Sequence, residues 1–150
     1  LVIMVNNMIY GMTGGQVAPT TPKGAITTTT PYGNVEYPID AAKLVEAAGA
    51  NYVARWTTFH VHALKESIKK AIGKKGFRFI EVLSQCPTNY GRRVGLRRPV
   101  DMLKWFKENT TPVQHPEEGK ITVGEFADRD RESLLDAYRK LLEKAKAGKP

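Results

Sequence analysis

At 150 residues the chain is long enough to bury a real core, and one domain, with at most a small appendage, is expected. Its 41% hydrophobic content is ordinary for a globular chain, and no apolar run approaches the roughly 20 residues that a membrane-crossing helix needs. The formal net charge of +8 favours acidic or phosphorylated partners and leaves the fold open.

Leu1 to Val5 is an unbroken apolar run ended by Asn6-Asn7, as in a strand buried on both faces of a parallel sheet. It is too short for a signal-peptide core and has no basic flank. The chain starts in mid-strand without Met, so sequence upstream of Leu1 is expected. Residues 6–38 then form a long loop punctuated by Gly and Pro. Loops beyond about 12–15 residues are usually functional or disordered. Tyr10, Met12, Tyr32 and Tyr37 are more apolar and aromatic content than a disordered tail carries, so this loop is expected to wrap something.

Asp40 is a good N-cap for a helix whose apolar face is Ala41, Leu44, Val45 and Ala48, with Gly49 ending it. "NYVARW" (Asn51–Trp56) reads as a strand. A second helix follows from His60, with Val61, Leu64, Ile68, Ala71 and Ile72 on one stripe and Gly73 closing it, and then the strand "FRFIEVLS" (Phe77–Ser84). This alternation is the rhythm of an α/β domain with a parallel sheet. After Cys86 the style changes to a turn-rich basic segment, a short helix over Pro99–Asn109, a β element within Gly119–Phe126, and a last helix from Arg131 to Ala145. That last helix is expected to bury Leu134, Leu135, Tyr138, Leu141 and Leu142. The boundary is placed between residues 1–85 and a mostly helical extension, 86–150.

Open α/β sheets bind ligands at the carboxyl ends of their strands, where Asn6-Asn7 stands. An Asn amide oxygen is a hard, neutral ligand suited to Mg²⁺, which takes its remaining ligands from water and phosphate. Glycines at 11, 14 and 15 allow close backbone approach, and the Thr13 hydroxyl suits a phosphate oxygen. The competing reading is a capped strand end and a loop packed on its own side chains. Cys86 is the one cysteine, which excludes an internal disulfide and suits a reducing, cytoplasmic setting; a lone Cys is most often a small buried hydrophobe.

The run "NNMIYGMTGGQ", followed by "PTTPKG" and "TTPYGN", strongly resembles the thiamine-diphosphate-binding beta subunit of 2-oxoacid:ferredoxin oxidoreductases. The resemblance continues through "DAAKLVEAAGANYVAR" and "EVLSQCPTNYGRR", the last most like the 2-oxoglutarate-using branch, and covers roughly residues 1–110. It implies the C-terminal half of a thiamine-diphosphate-binding parallel-sheet domain. By resemblance, Asn7 ligates Mg²⁺ through its side chain and Ile9 through its backbone carbonyl. Met12 supports the bent cofactor, Gly11 and Thr13 lie near the diphosphate, and Gly14 faces the 2-oxoacid. The family's Gly-Asp-Gly segment and further cysteines belong upstream of Asn6 and are absent here, so the chain by itself is expected to bind cofactor weakly or not at all. Cys86 matches the fourth ligand of a 4Fe–4S cluster in members that carry one; alone it behaves as a buried thiol.

The implied activity is CoA-dependent oxidative decarboxylation of a 2-oxoacid, with 2-oxoglutarate favoured, and electron transfer to ferredoxin. The partner alpha subunit supplies the group that activates the cofactor, and no side chain in this chain is a convincing general acid or base. The alternative is a non-catalytic basic module for an acidic protein or nucleic acid. Arg92, Arg93, Arg97 and Arg98 would serve it, but no nucleic-acid-binding motif surrounds them. His60 and His62 are poorly spaced for a helical metal pair and read as cap or surface residues.

Overall fold

The computed structural model describes residues 1–148. In chain order its elements are strand β1 (Val2–Asn6), helix α1 (Ala41–Ala47), strand β2 (Tyr52–Thr57), helix α2 (Val61–Gly73) and strand β3 (Arg78–Leu83). A π-helical turn (Pro87–Gly91), helix α3 (Pro99–Glu108), strands β4 (Thr110–Pro112) and β5 (Ile121–Asp128), and helix α4 (Leu134–Lys146) follow. The strands make one five-stranded sheet in the order β1-β3-β2-β5-β4. β1, β3 and β2 run parallel, β5 is antiparallel to β2, and β4 is parallel to β5. This is the mostly parallel α/β architecture expected. The segment after position 86 adds two strands to the same sheet besides its two helices.

The two central strands explain the core. Side chains alternate across a strand, so Val53 and Phe79 face α1 and pack with Ala41, Ala42 and Ala127. Tyr52, Ala54, Ile80 and Val82 face the other way and pack with Ala71, against Leu64 and Ile68 of α2. A third cluster lies beyond the strand ends, where Met8 and Ile9 meet Leu83, Cys86, Tyr90, Met102 and Phe106. It joins the start of the long loop to the π-helical turn and α3.

The loop is ordered by threonine and asparagine side chains that stand in for regular secondary structure. The Thr21 hydroxyl donates to the Met8 carbonyl (2.7 Å), and Asn34 Nδ2 donates to the Thr21 carbonyl (3.0 Å). The Thr28 N–H donates to the Gly15 carbonyl (2.8 Å). Thr21, Thr27 and Asn34 are buried, while Met12, Tyr32 and Tyr37 project fully or almost fully into solvent.

Several expectations are corrected. β1 is not buried on both faces: among the described residues it pairs only with β3, and Val2, Ile3 and Val5 are exposed. α1 buries Ala41 and Ala42 and leaves Leu44 exposed, because the small alanines permit close approach to the sheet. In α2, Val61 and Ile72 are exposed towards the two ends, while Gly73 closes the helix as expected. In α4, Leu134, Leu135, Tyr138, Leu141 and Leu142 are all exposed, and no residue of the helix is buried. No helix among the described residues is long and apolar enough to cross a membrane.

Candidate functional site

Asn6 and Asn7 leave the carboxyl end of β1 in opposite circumstances. Asn6 is buried and engaged at both ends of its amide: its Nδ2 donates to Glu81 Oε1 (2.7 Å), and its Oδ1 accepts from the Met8 N–H (2.9 Å) and the Thr20 hydroxyl (2.8 Å). Asn7 is half-buried, and among the described residues its Oδ1 accepts only a long bond from the Ile9 N–H (3.3 Å). Between them and Ile9 stands Met8, a non-glycine residue at φ 63°. That left-handed conformation costs about 1–3 kcal/mol, and the bonds to its N–H and carbonyl hold it there.

Ile9 is buried, and its carbonyl accepts no hydrogen bond among the described residues. Asn7 and Ile9 thus offer two neutral oxygens with spare lone pairs at the strand end. Asn6, Asn7, Ile9, Tyr10, Pro19 and Thr20 line a cavity of about 390 Å³ there. This donor set fits a hard cation such as Mg²⁺ as part of a coordination sphere completed by other ligands. Among the described residues no group of three or more His, Cys, Asp or Glu side chains could hold a metal.

Gly11 is pressed between two of the expected site residues. A Cβ there would stand 3.3 Å from Asn7 Nδ2 and 3.4 Å from Cys86 Sγ, so the missing side chain lets the three positions converge. Cys86 is buried, with its sulfur 3.9 Å from the Thr88 hydroxyl. Met12, Thr13 and Gly14 do not converge with them. They form the tip of a turn closed by the bridge between Tyr10 and Gln16. Met12 is wholly exposed, the Thr13 hydroxyl donates to Gln16 Oε1 (2.6 Å), and Gly14 adopts φ +117°, where a Cβ would stand 3.6 Å from Gln16 Nε2.

Behind Asn6 lies a buried charge network. Arg55 Nε donates to Glu81 Oε2 (2.7 Å), its Nη1 donates to the Thr122 carbonyl (3.3 Å), and its Nη2 pairs with Asp40. Burial would raise the Asp40 carboxyl, but the Arg55 charge, the Lys43 N–H bond and the Lys43 charge outweigh it and hold the group below its ordinary value. The network borders a second cavity of about 480 Å³ that Asn6 also lines. On the far side of the sheet, His60 accepts or donates through Nδ1 to the Thr57 hydroxyl (2.9 Å), and burial lowers its pKa. The four arginines at 92, 93, 97 and 98 are exposed, and Arg98 is paired with Asp101.

Three further residues at this site were not singled out in the sequence, although Arg55 ends "DAAKLVEAAGANYVAR" and Glu81 and Asn89 lie within "EVLSQCPTNYGRR". Asn89, in the π-helical turn, donates to the Gly11 carbonyl (2.8 Å). Glu81 and Arg55 each stand as a charge among apolar strand residues, which was the available local signal.

Residues 1–82 match the model of the thiamine pyrophosphate enzyme C-terminal TPP-binding domain. The chain is 53% identical to the 2-oxoglutarate synthase subunit KorB of Methanocaldococcus jannaschii, over 97% of this chain and 57% of that protein. It is 51% identical to the KorB subunit of Methanothermobacter marburgensis, over 99% of this chain and 54% of that protein. A solved structure of 2-oxoglutarate:ferredoxin oxidoreductase from Magnetococcus marinus, with 2-oxoglutarate, coenzyme A and succinyl-CoA bound, superposes with a TM-score of 0.78 at 25% identity, covering 99% of this chain and 53% of that one. The chain therefore spans little more than half the length of these proteins.

Proposed function

The chain belongs to the family of thiamine pyrophosphate enzyme C-terminal TPP-binding domains, and from that premise we propose that it is part of the beta subunit of a 2-oxoacid:ferredoxin oxidoreductase. The favoured substrate is 2-oxoglutarate, with CoA as acyl acceptor, ferredoxin as electron acceptor and an alpha subunit as partner, in the cytoplasm. The KorB names of two relatives at 51–53% identity support the substrate. Residues 1–85 would be the partial cofactor domain and 86–150 its extension.

The observation that carries the reading is the division of labour between the asparagines. Asn6 is committed to the fold, whereas Asn7 Oδ1 and the Ile9 carbonyl keep spare lone pairs, among the described residues, at the carboxyl end of a parallel strand. These two would hold Mg²⁺ against the diphosphate. Gly11 would give the diphosphate room beside Asn7, and Met12, wholly exposed, would lie under the bent cofactor. Thr13 and Gly14, on the same exposed turn, would meet the diphosphate and the 2-oxoacid. When bound, thiamine diphosphate supplies the carbon chemistry of decarboxylation. This chain's residues bind, orient and shield it. Cys86 would give one thiolate to a 4Fe–4S cluster in the complete subunit.

The test is reconstitution of the full-length subunit with its alpha partner. CoA-dependent reduction of ferredoxin with 2-oxoglutarate, well above that with pyruvate, is expected. Equal rates would remove the substrate assignment, and no 2-oxoacid activity with cofactor bound would remove the reading. Residues 1–150 by themselves are expected to give flat calorimetry with micromolar thiamine diphosphate and Mg²⁺; tight binding would show that they hold a complete site.

A further inference from the structure

Glu81 and Arg55 face each other in register on the adjacent strands β3 and β2. Glu81 is 2% exposed and Arg55 6%, so neither charge is solvated by water, and each depends on its partners. What the pair does with its hydrogen bonds is specific. A carboxylate only accepts. Its Oε2 takes the Arg55 Nε–H (2.7 Å), which leaves Oε1 for Asn6. Asn6 must therefore turn its Nδ2 toward Glu81 (2.7 Å) and its Oδ1 the other way.

That other way is the Met8 N–H, at 2.9 Å. A reversed Asn6 amide would set Nδ2 against this N–H, donor against donor, and the left-handed Met8 would lose the acceptor that holds it. Met8 is the residue between Asn7 and Ile9, so its conformation decides where their two oxygens stand. Arg55 is itself fastened to Asp40 at the start of α1 and to the Thr122 carbonyl of β5, so the polarity of Asn6 is set from three directions in the fold.

We propose that Glu81, backed by Arg55, is a positioning residue for the metal turn: it fixes the polarity of the Asn6 amide and through it the left-handed step that presents Asn7 and Ile9 to Mg²⁺. This rests on the reading of those two residues as the magnesium ligands. An ion pair that merely stabilised the sheet would work equally well with either polarity at position 6.

The test is a polarity swap in the full-length subunit, using Glu81→Gln, Asn6→Asp and the double variant. In Glu81→Gln one amide oxygen must serve two donors, and its own N–H₂ faces a donor. In Asn6→Asp two carboxylates meet. In the double variant the new amide oxygen at position 81 accepts from Arg55, its N–H₂ donates to the new carboxylate at position 6, and the other carboxylate oxygen accepts from the Met8 N–H.

Two quantities are read: the Mg²⁺ concentration needed to retain thiamine diphosphate, and cofactor-free amide hydrogen exchange of the peptide holding Met8 and Ile9. Each single variant should raise the Mg²⁺ requirement about tenfold or more and speed exchange, and the double should recover both. Wild-type values in both single variants, or a double no better than the worse single, would overturn the proposal. Should Asn6→Asp fail to fold, Glu81→Gln against the double decides on the same readouts. If the wild-type subunit shows no Mg²⁺-dependent retention at all, the cofactor reading falls, and the exchange arm alone decides whether Glu81 orders the turn.

Discussion

The Asn89 side chain donates from Nδ2 to the Gly11 carbonyl over 2.8 Å, joining the turn after β3 to the loop after β1 across 78 positions of sequence. The same side chain leaves no room at Gly15, where a Cβ would stand 2.9 Å from Asn89 Oδ1 and where φ is +87°. Gly15→Ala should therefore cost about 1–3 kcal/mol, from strain and crowding together. Asn89→Ala should cost about 1 kcal/mol, the value of a part-buried hydrogen bond. Urea unfolding of the full-length subunit measures both, and an unchanged midpoint in Gly15→Ala would mean that Asn89 does not clasp the loop.

The two asparagines should separate by readout. Asn6→Ala strips partners from Glu81 and from the Met8 N–H, both buried, and should cost about 2 kcal/mol or more in stability. Asn7→Ala removes one long hydrogen bond and should change stability by less than about 0.5 kcal/mol while weakening Mg²⁺-dependent cofactor retention. A large stability loss in Asn7→Ala, with retention intact, would exchange their roles.

Acid sensitivity follows from Asp40. Its carboxyl is held below the ordinary 3.8, burial being outweighed by Arg55 and Lys43. Its contribution to stability is therefore fully present above 3.8 and lost as pH falls from there through the lowered folded value. Asp40→Asn keeps an N-cap oxygen for the Lys43 N–H but removes the charge facing Arg55. The variant should be less stable than wild type at neutral pH, and the gap should narrow below 3.8. Equal stability of the variant and wild type at every pH would assign the role of Asp40 to capping alone.

In the full-length subunit, Cys86→Ala should abolish one 4Fe–4S signal in low-temperature EPR of the reduced enzyme and lower the iron count accordingly. An undiminished signal would leave Cys86 as a packing residue beside Met8, Tyr90 and Met102.

Leu134 is 74% exposed and Leu141 59%, so replacing either with Lys should change stability by no more than about 0.5 kcal/mol in the chain as described. A loss of several kcal/mol in the full-length subunit would show that this face of α4 is covered there.

The strand and helix rhythm through β3 was legible because hydrophobic period and local caps carry it: Asp40 accepts from the Lys43 N–H as its position predicted, and β2 and β3 lie within a residue or two of the runs that announced them. The neighbourhood of Asn7, Ile9 and Gly11 was also marked, since all three sit within one short segment. Periodicity does not say whether anything covers an apolar stripe, and so it misplaced the leucines of α4 and the outer face of β1. Nor does it say which of two adjacent asparagines is free. That was decided by Glu81, 75 positions from Asn6, because strand register and not local sequence brings a carboxylate to the amide, and a buried amide must take whatever partners the fold supplies.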